Sequence, residues 1–298
     1  MEQILKVFSI DEYDQFYKLG ENSNSSSVYF LKYGKNKVII KQYDSKFFAQ
    51  VDQKILLEWN KTKEKGVCFS QVTKIVECEE NTCFVMIEYL EGENLLSLVR
   101  EGKVSEQEKR EKETKMGEIL RTMHATDILV EGYGQIVQFK EKFVGKYQNF
   151  EEFFLNDELF KAGLEIAGQI GVRNLSKTRE RMVHLQNLKT TVLHGDFRAG
   201  NILMSKKGEL SVIDPNCYIS HHLFDLAYSV ILDFIYESFP NRKNLFSHPI
   251  LKGYGLENLE EDPTWKSCLF FQLLRMSHFS NYSQDIKRNI LQLFSFVD

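Results

Sequence analysis

His194-Gly195-Asp196-Phe197-Arg198-Ala199-Gly200-Asn201, followed after a short interval by Val212-Ile213-Asp214-Pro215, is the stretch on which the reading of this chain turns. Thr191-Val192-Leu193 leads into it as an apolar run. Ile202-Leu203-Met204 and Leu210-Ser211-Val212-Ile213 read as two strands, and Ser205-Lys206-Lys207-Gly208 as the turn between them. An imidazole, a carboxylate, an amide and a second carboxylate therefore stand at fixed offsets around a strand–turn–strand. Alone, His-Gly-Asp is a turn and Ile-Asp-Pro a strand end. Together, at this spacing, they form a pattern with a chemical purpose.

The pattern H-x-D-x-x-x-x-N with a second Asp beyond the next strand suits phosphoryl transfer. An acceptor hydroxyl must be oriented and must lose its proton late, which one carboxylate beside it can do. The triphosphate needs magnesium, which prefers hard oxygen ligands such as a carboxylate and an amide carbonyl. Asp196 is thus the expected base, and Asn201 and Asp214 the expected metal ligands. His194 shapes the loop rather than taking a proton.

Outward from this stretch the chain changes character once. In the first ~90 residues, Ser27–Leu31 and Lys37–Lys41 are β-prone runs around the turn Tyr33-Gly34-Lys35-Asn36. Residues 52–65 read as a helix with Ile55, Leu56 and Trp59 on one stripe, ended by Gly66. Strands are expected at 72–76 and 82–87. After Leu90-Glu91-Gly92-Glu93 the pattern is mainly helical. Ser105 and Glu108 form a capping box, with Met116, Ile119, Leu120 and Met123 as the buried face behind it. Helical spacing recurs at 149–167, 173–188, 222–238 and 264–297, interrupted by the one hairpin described above. The expected fold class is α+β: a β-rich lobe at 1–88, a hinge at 89–93 and a helical lobe at 94–298.

Composition excludes several alternatives. Of 298 residues, 43% are hydrophobic and 27% charged, with a net charge of −4, so there is no basic footprint for nucleic acid. No apolar run approaches the ~18 residues a membrane span needs, and the acidic N-terminus is no secretory signal. Cys68, Cys78, Cys83, Cys217 and Cys268 are odd in number and lack C-x-x-C spacing, which suits free thiols in a reducing cytoplasm.

HGDFRAGNIL and VIDPNCYISHHLFDLAY resemble the aminoglycoside phosphotransferase / choline kinase superfamily, and the resemblance covers nearly the whole chain. It implies a protein-kinase-like, two-lobed fold, a small β-rich N-lobe and a larger helical C-lobe. It also implies ATP (with GTP left open) and Mg2+ as cofactors, and a small-molecule acceptor. Tyr17–Ser23 with Val28-Tyr29 is similar to the nucleotide loop, which places Ser23 at the phosphates. Val38–Lys41 resembles the strand bearing the phosphate-binding lysine, Lys41. Its partner is assigned to Glu58, with Asp52 and Glu64 as alternatives. Phe84–Gly92 resembles the hinge, so Glu88 and Leu90 are expected at the nucleotide. Leu120–His124 and Gly132-Tyr133-Gly134 match a family helix end and a family turn. Asp225 matches an aspartate that braces the catalytic loop, or else serves as a helix cap.

Two departures stand out: the nucleotide loop has one glycine, Gly20, before a serine-rich run, and Asp214-Pro215-Asn216 replaces Asp-Phe-Gly. The acceptor is not written in a motif. Residues 215–265 hold seven acids against three bases, an excess equal to the whole chain's net charge. Such a field would draw a cationic acceptor. Asp233 and Glu237, four apart on a predicted helix, are the proposed carboxylates for it; a solvated helix face is the alternative. Trp265 is assigned mainly to core packing. A housekeeping metabolite kinase with a non-cationic acceptor remains open. A protein kinase is disfavoured by the missing Ala-Pro-Glu segment, and an inactive nucleotide-binding regulator by the complete set of chemical residues. Oligomeric state is unreadable.

Overall fold

A short helix, α1 (Glu2–Phe8), and a strand, β1 (Gln15–Leu19), come before the first expected strand pair, β2 (Val28–Tyr33) and β3 (Asn36–Tyr43). These coordinates are a computed structural model that describes residues 2–19, 27–61, 67–78, 82–172, 175–186, 188–236 and 242–297. Helix α2 (Lys46–Lys61) follows, then β4 (Val67–Phe69), β5 (Val72–Glu77), β6 (Cys83–Glu88) and β7 (Glu93–Asn94). Strands β1-β2-β3-β6-β5 make one antiparallel sheet. Alternation decides what each face meets. Val38, Ile40 and Met86 pack with Ile4, Leu5 and Phe8 of α1, whereas Val85 and Cys83 pack with Ala49 of α2. Helix α2 begins at Lys46, earlier than the sequence suggests, and its expected end at Gly66 lies outside the described residues. Ile55, Leu56 and Trp59 are buried as expected, each contributing roughly 1.5–3 kcal/mol of apolar burial.

The chain then builds α3 (Leu95–Arg100) and α4 (Glu106–His124). The capping box on α4 is present: Glu108 N–H donates to Ser105 Oγ at 3.2 Å and Ser105 N–H to Glu108 Oε2 at 3.1 Å. Where the sequence suggests mostly helix, three strands follow: β8 (Val130–Glu131), β9 (Tyr133–Phe139) and β10 (Phe143–Tyr147). The predicted helix at 149–167 is two, α5 (Phe150–Asn156) and α6 (Glu158–Gln169), because Asp157 turns out of helical backbone and caps the second with its side chain. After α7 (Thr178–Val183) comes β11 (Thr190–Leu193), then the hairpin β12 (Ile202–Met204) and β13 (Leu210–Val212), and then β14 (Tyr218–His221). The remainder is α8 (Leu223–Tyr236), α9 (Arg242–Ser247), α10 (Pro249–Tyr254), α11 (Pro263–Met276) and α12 (Gln284–Val297).

Two compact units result: Met1–Leu95 with Ile202–Ile213, and Leu96–Asn201 with Asp214–Asp298. The hairpin belongs to the first unit, where β4-β13-β12-β7 form a second sheet. In the second unit, β11-β14-β9-β10-β8 form a sheet that the sequence reading did not anticipate. Phe153, Phe160, Phe224, Phe270, Phe271 and Trp265 fill its core, and Trp265 donates from Nε1 to the Leu245 carbonyl at 3.0 Å. Helices α4 and α10 touch backbone to backbone: a Cβ at Gly253 would stand 1.8 Å from the Thr114 carbonyl oxygen, so glycine is required there. Among the described residues, no helix is long and apolar enough to cross a membrane.

Candidate active site

β11 pairs with β14, Leu193 opposite Tyr218, and the chain leaves this sheet at His194. Gly195 has φ 79°, and a Cβ there would lie 2.0 Å from the Asn216 carbonyl oxygen. Only glycine fits both the left-handed backbone and the close approach. Asn216 N–H closes the turn by donating to the His194 carbonyl at 2.7 Å. Asp225, in the first turn of α8 and fully buried, accepts from His194 N–H at 2.7 Å and Gly195 N–H at 2.9 Å. His124 closes this knot, its Nε2 3.2 Å from Asp225 Oδ2 and its Nδ1 3.0 Å from the Tyr254 hydroxyl. Burial and the Asp225 charge push the Tyr254 phenol up. It therefore stays protonated and donates to Nδ1, so the ring presents Nε2–H to Asp225. Burial raises the Asp225 carboxyl, but the hydrogen bond from His124, with that from the Gly195 N–H, outweighs it and holds the group below the usual carboxylate range.

Asp196 sits on this braced turn. Its Oδ1 accepts from Tyr228 Oη–H at 2.7 Å and Arg198 Nε–H at 3.0 Å; its Oδ2 accepts from Asn201 Nδ2 at 2.8 Å. The same Asn201 Nδ2 donates to the Asp196 carbonyl at 2.8 Å. Both bonds use the amide nitrogen, so Asn201 Oδ1 is turned away from Asp196 as an available acceptor. His194 is fully buried, its ring 5.5 Å from Phe197 and its Nδ1 accepting from Asp196 N–H at 3.3 Å. It holds the loop from within. The chain leaves the second unit at Asn201 and returns at Asp214. Between them, Ile202 pairs with Val212, which brings Asp214 back toward Asn201. Asp214 is exposed, with φ 57°, the left-handed backbone that Asp tolerates better than most residues.

The structure thus brings His194, Asp196, Asn201 and Asp225 into one hydrogen-bonded group. Tyr228, Arg198 and His124 belong to it and were not singled out as site residues. For Tyr228 a signal existed: Asp225, Tyr228 and Ser229 are spaced i, i+3, i+4 on a helix and so share one side. Ser229 Oγ–H completes the set by donating to the Phe197 carbonyl.

In the first unit, Lys41 lies on β3 opposite Val85, on the sheet face that α2 covers. Its Nζ is 5.1 Å from the Tyr43 ring centroid, and Tyr43 Oη–H donates to Asp52 Oδ2 at 2.8 Å. Glu58, the assigned partner, is engaged elsewhere, 2.7 Å from Lys61 and 3.3 Å from Lys54. The helix register explains this. Asp52 is on the buried stripe with Ile55, Leu56 and Trp59, while Glu58 flanks it. Glu88 is exposed at the end of β6, its N–H on the Gln71 carbonyl at 2.8 Å, and Leu90 follows half-buried. Ser23, Glu64 and Glu237 lie outside the described residues.

Asp233, expected at the acceptor, has other partners within the protein. It stands five residues beyond Tyr228, about 140° around the helix at 3.6 residues per turn, on a different flank. There it meets His248 Nε2 at 3.3 Å. Glu113, Asp233 and His248 bring ligand atoms within 4.8 Å of one another. However, His248 Nδ1 accepts from Ile250 N–H at 3.3 Å, which leaves Nε2–H pointing at Asp233. Lys109 lies 3.5 Å from Glu113. Burial raises the Glu113 carboxyl against the pull of His248 and Lys109. The group is internally satisfied and lacks a nitrogen lone pair for a cation.

The half-buried loop thus presents one braced carboxylate and an outward amide oxygen, with a second, exposed carboxylate at Asp214. The profile of the phosphotransferase enzyme family matches residues 19–263, and the chain belongs to that family. It is a small-molecule kinase acting on a hydroxyl acceptor. The chain is similar in fold to a thermostable mutant of the aminoglycoside phosphotransferase APH(4)-Ia bound to ADP and hygromycin B (TM-score 0.68, 14% identity, covering 99% of this chain and 97% of that one). A protein of Haemophilus somnus 129PT described as a candidate fructosamine-3-kinase is also similar (TM-score 0.61, 16% identity, 99% and 95%). So is an aminoglycoside phosphotransferase in complex with GDP and kanamycin (TM-score 0.59, 14% identity, 99% and 96%). No curated protein matches the chain in sequence.

Proposed function

We propose that this enzyme transfers the γ-phosphoryl group of ATP to a hydroxyl of a small, polyhydroxylated amine, with Asp196 as the catalytic base. The observation that carries the reading is the set of three donors on the Asp196 carboxylate, mounted on a turn that buried Asp225 braces. Asp196 orients the acceptor hydroxyl and takes its proton as the oxygen bonds to phosphorus. Asn201 Oδ1 and the Asp214 carboxylate are hard oxygen donors that fit magnesium, and the amide orientation supports it. When bound, that ion neutralises charge building on the phosphates. Lys41 positions the phosphates, with Asp52 as the carboxylate of its neighbourhood. The amine rests on the acidic excess of residues 215–265 and on the amino-sugar ligands of the similar proteins. Five free cysteines fit a reducing cytoplasm.

The test is ADP release across aminoglycosides, amino-sugars, fructosamines, choline and neutral sugars, with wild type and Asp196→Ala. An amine is expected as the best acceptor, and Asp196→Ala should lose on the order of 10²–10⁴-fold in turnover. A neutral best acceptor would remove the amine from the reading. Turnover within threefold in Asp196→Ala would remove the base.

A further inference from the structure

The first two turns of α8 follow the catalytic loop residue by residue. Asp225 binds the backbone of His194 and Gly195, Tyr228 the side chain of Asp196, and Ser229 the carbonyl of Phe197. Tyr228 is the contact in this row that reaches the reacting carboxylate itself. Its bond, with that of Arg198, gives Asp196 Oδ1 two donors. Oδ2 has one among the described residues, from Asn201. A carboxylate oxygen accepts about two hydrogen bonds, so the two oxygens are not equivalent.

We infer that Tyr228 is a positioning residue that fills Asp196 Oδ1 and so reserves Oδ2 for the acceptor hydroxyl. In the step this implies, the acceptor O–H donates to Oδ2. The acceptor oxygen forms its bond to the γ-phosphorus while the bond to the bridging oxygen breaks and the departing nucleoside diphosphate keeps that electron pair. The proton moves to Oδ2 and then to solvent. Burial and the nearby Asp196 charge push the Tyr228 phenol up, so it serves as a donor and not as a second base. Arg198 cannot substitute for it, because the guanidinium approaches the same oxygen from a side chain that is 39% exposed, whereas Tyr228 is fixed by α8.

This rests on Asp196 being the base, and the experiment separates the two claims. ATP hydrolysis, with water as the acceptor, is followed under single-turnover conditions for wild type, Tyr228→Phe, Asp196→Ala and the double variant. Tyr228→Phe is expected to lower the rate on the order of tenfold, the effect of one lost hydrogen bond to a charged group, with the concentration of ATP for half-maximal rate unchanged. In the Asp196→Ala background the same change should cost nothing further. A crystal structure of Tyr228→Phe should show the Asp196 carboxylate turned from its place against Asn201. A rate within twofold of wild type, an equal loss in both backgrounds, or a carboxylate still held as before overturns the proposal. A wild-type rate in Asp196→Ala overturns the underlying reading instead, whatever Tyr228→Phe does.

Discussion

Helix α8 carries two carboxylates that the sequence put forward for function, and its two ends use them in opposite ways. At the start, buried Asp225 spends its bonds on the backbone of the catalytic loop and on His124. Two turns on, Asp233 is 38% exposed in its side chain and joins His248 beside Glu113 and Lys109. Both are acid–imidazole groups next to a helix. The first holds another segment in an unusual shape and leaves a different carboxylate, Asp196, for the role of base proposed above. The second neutralises itself. What separates a working site from an ion cluster here is where the remaining hydrogen-bond capacity points.

Asp225→Ala should break this contrast most severely. It orphans two loop N–H groups and a buried imidazole, so a stability loss of about 3–5 kcal/mol by urea unfolding is expected together with loss of turnover. A variant that keeps wild-type kinetics would mean that the loop holds itself. Next in size is an acid effect at the last residue of β14. His221 is buried among Tyr133, Phe150 and Phe224, and neither ring nitrogen makes a well-aligned hydrogen bond among the described residues, the Leu188 backbone only partly opposing the effect of burial. Burial, with the neighbouring His222 charge, lowers it from 6.5 to about 4. The unfolded chain therefore takes up a proton near pH 6.5 that the folded chain refuses until about pH 4. Stability should fall as pH drops through that window, by about 3 kcal/mol, and level off below it. His221→Phe should lack this component when unfolding is compared between pH 7 and pH 4. An identical pH slope in both proteins would show that the ring is not held neutral. The smallest effect belongs to Asp233→Asn: within about 1 kcal/mol in stability, as for a half-exposed ion pair, with no change in KM for ATP or for the best acceptor. A large rise in acceptor KM would restore Asp233 to the acceptor site.

The turn that groups His194, Asp196 and Asn201, and the hairpin that follows it, were legible because the chemistry proposed for them dictates residue type. A base, an amide ligand and a carboxylate ligand are not freely exchanged for other residues, and their offsets follow from one turn and one hairpin. Packing partners are freer, and that is where the reading failed. Tyr228 stands among the apolar residues of α8, and no motif marks it out. Between Glu58 and its alternative Asp52 the sequence leaves a choice, and the stripe of Ile55, Leu56 and Trp59 shows that Asp52 is on the buried flank. Strands β8 and β9 were hidden by Gly132-Tyr133-Gly134, which reads as a turn. The bend at Asp157 was hidden by continuous helical spacing on either side of it.

The excursion of the chain between Asn201 and Asp214 also has a consequence for biosynthesis. Strands β12 and β13 complete a sheet whose other two members, β4 and β7, leave the ribosome more than a hundred residues earlier. The amino-terminal unit therefore cannot finish its structure as a separate nascent domain. It must wait, with β4 and β7 lacking their partners, until two-thirds of the polypeptide has been made. A fragment ending at Leu95 should accordingly bind chaperones and resist purification, and supplying residues 202–213 in trans or by circular permutation should rescue it.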